Sequence, residues 1–86
     1  MNQIKTLDQL PPEHQAIVVR LKVDGAMRRR FLDLGLIENT LVECIGRSPM
    51  GDPSAYLIRG AVIAIRAENC RGIYIQEIEN GVSSWD

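Results

Sequence analysis

The sequence predicts a mainly β domain: a small, closed or nearly closed barrel of about five short strands, with one short α-helix inserted after the first strand. Three observations carry this expectation. Stretches of period-two alternation recur along the chain, bounded by Gly, Pro, Asn or Asp. One stretch only, through Met27, Phe31 and Leu34, carries the i, i+4, i+7 spacing of a helical face. At 86 residues the chain has room for one domain and one modest core. A sheet so short in sequence leaves bare edges unless it curls on itself.

In chain order, Thr6 is placed to cap one helical turn carrying Leu7 and Leu10, which Pro11 and Pro12 then stop. Residues 16–23 alternate: Ile17, Val19, Leu21 and Val23 face one way, Val18, Arg20 and Lys22 the other. Asp24 reads as the N-cap of the helix, and Gly35 as the left-handed residue that ends it. Leu36 and Ile37 follow as expected core residues. Residues 40–45 form the next strand, with Leu41, Glu43 and Ile45 opposite Val42 and Cys44. The run Ser48-Pro49-Met50-Gly51-Asp52-Pro53 is dense in turn formers. Strands over 55–59 and 61–66 make a hairpin around Gly60. One helical turn over 67–71 precedes Gly72, and 73–78 is the last strand. Residues 1–78 are expected to form the domain and 79–86 a polar tail containing Val82 and Trp85.

The composition narrows the function. Hydrophobic residues make up 45 % and charged residues 24 %, which suits a folded domain rather than a disordered one. Aromatics are only 5 %, so the core must rest on Ile, Val and Leu. The net charge of -1 and pI near 5.8 provide no global field to attract nucleic acid or an anionic membrane. No segment approaches the roughly 20 apolar residues that span a bilayer, and the first residues lack the apolar run of a secretory signal. The two cysteines, Cys44 and Cys70, form no CxxC pair. Free thiols in the reducing cytoplasm are the expectation.

The residues predict no enzyme. His14 is the single histidine and sits in a polar loop beside Pro11, Pro12 and Glu13. No Gly-rich phosphate loop or HExxH pattern is present. His14, Cys44 and Cys70 are the soft or borderline metal ligands apart from the methionines. Zinc ordinarily takes three or four such groups in tetrahedral array, so no metal site is assigned. Cys44 is expected as a small buried hydrophobe, and Cys70, ending a helical turn, as partly exposed.

The unusual feature is Arg28-Arg29-Arg30. Asp33 stands at i+4 from Arg29 and i+3 from Arg30, the spacing of stabilising helical pairs. Cations in the first turns of a helix nevertheless oppose its macrodipole, by about 0.3–1 kcal/mol each at an exposed site. That placement suggests recognition as much as a solvated face, and guanidinium groups suit carboxylate or phosphate partners.

These residues carry a family resemblance. Thr6-Leu7-Asp8-Gln9-Leu10-Pro11-Pro12 is followed by Asp24-Gly25-Ala26-Met27-Arg28-Arg29-Arg30-Phe31-Leu32-Asp33-Leu34-Gly35-Leu36. Further on come Pro49-Met50-Gly51-Asp52-Pro53, Tyr56-Leu57-Ile58-Arg59-Gly60 and Ala64-Ile65-Arg66. Together they resemble the FeoA family (ferrous iron transport protein A) over about residues 6–78. The resemblance implies an SH3-like barrel and a cytoplasmic accessory role in bacterial ferrous iron uptake. The implied partner is the membrane iron transporter FeoB, at its cytosolic GTP-binding portion. On this reading Arg28, Arg29, Arg30 and Asp33 are the candidate partner-binding residues, with Met50, Gly51 and Asp52 as a second surface. The alternative is a module that binds ferrous iron or zinc directly, through His14, Cys44, Cys70 and surface acids. A second copy of the chain is a further candidate partner, through a free edge strand or Trp85. Nucleic acid is disfavoured by the pI and by the few stacking aromatics.

Overall fold

Each alternating stretch forms a strand, and a short additional one joins them. The computed structural model describes residues 3–78; the expected tail, with Val82 and Trp85, lies outside the described residues. The elements are β1 (Ile4–Thr6), a 3-10 turn (Leu7–Gln9), β2 (Gln15–Leu21), α1 (Gly25–Asp33), β3 (Leu41–Arg47), β4 (Ser54–Ile58), β5 (Ala61–Ile65), α2 (Ala67–Cys70) and β6 (Ile73–Ile78). The six strands make one sheet in the order β1-β6-β2-β3-β4-β5, antiparallel at every step. The strand beyond the expected five is β1. Its three residues are too few to show alternation, and it exists because Ile4, Lys5 and Thr6 pair with Gln76, Ile75 and Tyr74. The helix α1 therefore follows the second strand rather than the first.

The sheet curls around a core of Leu7, Leu10, Val18, Val42, Tyr56, Ile58, Ile73 and Ile75, all at most 1 % exposed. A β-bulge between Val18 and Arg20 shifts the β2–β6 register. Alternation alone groups Ile17 and Val19 with Leu21 and Val23. The bulge separates them: Ala16 and Val18 point inward before it, and Leu21 and Val23 pack against the core after it. A second register shift lies between Cys44 and Gly46, opposite β4.

On α1, Phe31 is buried and Met27 and Leu34 pack beside it, as the spacing predicts. Gly35 has φ of 89°, the left-handed position that ends the helix. Leu36 then plugs the core, with its N–H on the Phe31 carbonyl. Ile37, expected inside, is 41 % exposed: the turn from Gly35 to Thr40 points it away from the neighbouring Leu36. Arg59 and Gly60, both at positive φ, make the two-residue β4–β5 turn. Cys70, expected to be partly exposed, is buried, because α2 folds down onto the Leu7–Gln9 turn across the gap between β5 and β1.

Gly72 matters for close approach. A Cβ there would lie 2.5 Å from Val23 Cγ1 and 2.9 Å from the Lys22 carbonyl oxygen. The Lys22 N–H in turn donates to the Gly72 carbonyl. Gly72→Ala is predicted to cost about 1–3 kcal/mol through overpacking, read as a lower urea midpoint at unchanged m-value.

Candidate functional site

Successive residues on an α-helix are about 100° apart, so three consecutive arginines cannot share one face. The structure spreads them accordingly. Arg28 turns toward the end of β2, where its Nη1 reaches the Leu21 carbonyl at 3.4 Å. It borders a cleft with Glu38, Leu32 and Ile37, the last two 40 % and 41 % exposed. Arg29 stands with Asp33 on the outer surface of α1. Arg30 adjoins Arg29 and Asp33 on that surface and, on the flank away from Arg28, also borders a groove between α1 and β5, together with Arg66.

The expected electrostatic compensation is not made. Asp24 occupies the N-cap position with extended backbone, but its carboxylate accepts no capping bond, and no acid lies in the first turn of α1. Asp33 makes no ion pair with Arg29 or Arg30; among the described residues the salt bridges are those of Lys5 and His14 to Glu77. Arg28 and Arg29 are the fourth and fifth of the helix's nine residues, at and beyond the end of its first turn, so the dipole opposes them only weakly, and neither makes an ion pair among the described residues. Arg30 falls in the last turn, where the dipole favours it.

The second candidate surface is a projecting turn. Met50 is 90 % exposed at its tip. Gly51 has φ of 89°, and its N–H donates to the Ser48 carbonyl. Asp52 is tied inward: its Oδ1 accepts the Ala67 N–H at 2.9 Å, at the first residue of α2. Sequence reasoning missed this bond because its partners are 15 residues apart. The Arg28 side of the helix and the Met50 turn belong to different elements, α1 and the β3–β4 turn.

The groups considered for metal or catalytic chemistry are dispersed. His14 Nδ1 pairs with Glu77 Oε2, and Lys5 Nζ donates to Glu77 Oε1 at 3.0 Å. Cys44 and Cys70 face the core. Burial raises the Cys44 thiol and pushes Cys70 up to about 11. Both sulfurs lie inside the core, with Cys44 0 % and Cys70 1 % exposed. Among the described residues, no three His, Cys, Asp or Glu side chains converge. No helix among them is long and apolar enough to cross a membrane.

Two predictions follow from this chemistry. Hydrogen bonds from His14 and Lys5 lower the Glu77 carboxyl below its ordinary 4.5. Its stabilisation is therefore complete above that value and is lost as pH falls through the lowered one. Glu77→Gln should remove about 0.2–1 kcal/mol at neutral pH and flatten the urea midpoint against pH below 4.5. The thiols should resist an aromatic disulfide reagent in the native chain, and both should titrate once urea unfolds it.

Comparison with known proteins agrees with this architecture. The FeoA domain model matches residues 5–77. An Fe(2+) transport protein A/Fe(2+) transporter FeoB fusion protein from Porphyromonas gingivalis is 27 % identical over 78 residues, which cover 91 % of this chain and 9 % of that protein. The chain thus spans under a tenth of that relative's length. A FeoA-like protein from Clostridium acetobutylicum superposes with a TM-score of 0.83 at 22 % identity, covering 100 % of both chains. Stenotrophomonas maltophilia FeoA, solved with zinc and described as a procaryotic SH3 domain protein, has a TM-score of 0.73 at 23 % identity, covering 81 % of this chain and 87 % of that one.

Proposed function

Because this chain belongs to the FeoA family, we propose that it is a cytoplasmic accessory of bacterial ferrous iron uptake that docks on the cytosolic GTP-binding portion of a FeoB-type transporter and modulates it. The observation that carries this reading is a helix whose Arg28 and Arg29 make no ion pair among the described residues, with Arg28 bordering a cleft that exposed Leu32 and Ile37 line together with Glu38. Arginine is among the residues enriched at binding hot spots. An acidic surface on the partner would supply the carboxylates that these guanidinium groups lack. The fusion of the two proteins in one relative supports the choice of partner. Met50, Gly51 and Asp52 serve as a secondary contact, with Met50 as the apolar tip.

The burial of both thiols in the core supports this docking role over a chain that ligates iron or zinc itself. In the docking reading the metal is the transporter's cargo.

Charge reversal provides the test. Arg28→Glu/Arg29→Glu should retain the native circular dichroism and thermal midpoint. It should weaken binding to the isolated cytosolic domain of the transporter by roughly tenfold or more, the loss expected for charges at an interface. Equal affinity in a folded double variant would remove these arginines from the interface.

A further inference from the structure

The two edges of the sheet are built differently. β1 is three residues long, and its central Lys5 is engaged by Glu77. Brevity and charge are ordinary protection against unwanted strand pairing. β5 has neither. It is five residues long, Ala61-Val62-Ile63-Ala64-Ile65, without a charge, proline or bulge. Val62 is 64 % exposed and Ala61 and Ala64 are exposed as well.

The register shows which backbone groups β5 offers. Ile58 and Ala61 close the two-residue turn, and pairing continues through Leu57–Val62, Tyr56–Ile63 and Ala55–Ala64 to Ser54–Ile65. In such a hairpin the closing pair shares its hydrogen bonds and alternate pairs follow suit. Ala61, Ile63 and Ile65 therefore bond to β4, while the N–H and C=O of Val62 and Ala64 point to the open side. β5 ends the sheet, with β4 as its sole neighbouring strand.

A groove of about 290 Å³ runs beside this strand, between it and α1. Met27, Phe31 and Ile63 provide apolar lining, and Arg30 and Arg66 are its charged lining residues, with no carboxylate among them. Asp52, whose carboxylate takes the Ala67 N–H, does not line it. A second copy of the chain would bring no carboxylate to this groove from its own β5, which carries no charged residue. A segment carrying carboxylates instead meets two cations.

We infer that β5 is an open docking edge for an extended, carboxylate-bearing segment of a partner protein, which joins the sheet as a further strand while its acids meet Arg30 and Arg66. Main-chain bonds to Val62 and Ala64 provide affinity, and the groove with its two arginines provides selectivity. This inference rests on the reading of the chain as a docking module and names a surface distinct from Arg28 and Arg29.

The test uses the full chain and three series of short synthetic peptides. Each has an alternating Val/Thr centre, flanked by Glu, by Lys or by Ser. Fluorescence anisotropy should show the Glu series binding roughly tenfold more tightly than the Lys series. Ala64→Pro removes an N–H from the open side only, a substitution an edge strand tolerates. It should abolish binding at an unchanged thermal midpoint. Arg30→Glu/Arg66→Glu should reverse the preference toward the Lys series. Failure of all three series to bind, equal binding of all three, or binding indifferent to Ala64→Pro each overturns the inference. Sedimentation showing a dimer that Ala64→Pro dissolves would assign the edge to a second copy instead. Glu-series binding that appears only after removal of residues 79–86 would assign it to the chain's own tail. If the chain binds the transporter's cytosolic domain but no peptide, the edge inference fails while the docking role stands.

Discussion

The fold depends on how Tyr56 closes the gap between the two ends of the sheet. β1 and β5 do not pair, so hydrogen bonding alone leaves the barrel open on that side. Tyr56, the largest fully buried side chain, projects from β4 into the gap. Its hydroxyl donates to the Leu7 carbonyl at 3.4 Å, and the Cys70 thiol meets it at 3.6 Å. The 3-10 turn and α2, each a single short turn, are thereby drawn over one aromatic ring. Burial holds the phenol protonated, its pKa pushed well up. A buried hydroxyl left without partners would cost about 1–3 kcal/mol, so the two lids and the ring stabilise one another.

Most of this architecture is legible from residue order, and the exceptions have physical causes. Leu41 to Cys44 alternate as written, up to the register shift before Gly46, and 73–78 is a strand to the residue. Residues 16–23 mislead because alternation does not survive a bulge, and no residue type around Val19 announces one. β1 is invisible because pairing with the far end of the chain, not local propensity, makes it a strand. Cys70 was misread because its burial depends on Tyr56, 14 residues earlier. The arginine run was recognisable as unusual. Its division into an outward pair and a groove-side residue required the helix's position against β2 and β5, which spacing cannot supply.

Charge placement gives the surface its character. The net charge is small, yet the eight arginines are not matched one to one with acids. Arg47 is consumed structurally, on Ser54 Oγ and the Leu10 carbonyl, and Arg59 lies over Gly35 with its Nε on that carbonyl. The acid most fully engaged, Glu77, lies on β6 with Lys5 and His14. Among the described residues ion pairing thus lies on the β1–β6 side, and the α1 arginines make no ion pair. A near-neutral protein can present a strongly cationic element in this way.

The β1–β6 ladder also fixes where the chain enters and leaves the domain. Ile4 sits across from Gln76, and β6 ends at Ile78. Entry and exit therefore lie side by side, as they do in modules that tolerate insertion into other proteins. A covalent leash attached at either end would leave from the same spot and sample nearly the same volume. The local concentration such a leash imposes on a neighbour depends on its length and stiffness, and hardly at all on which end it is tied to.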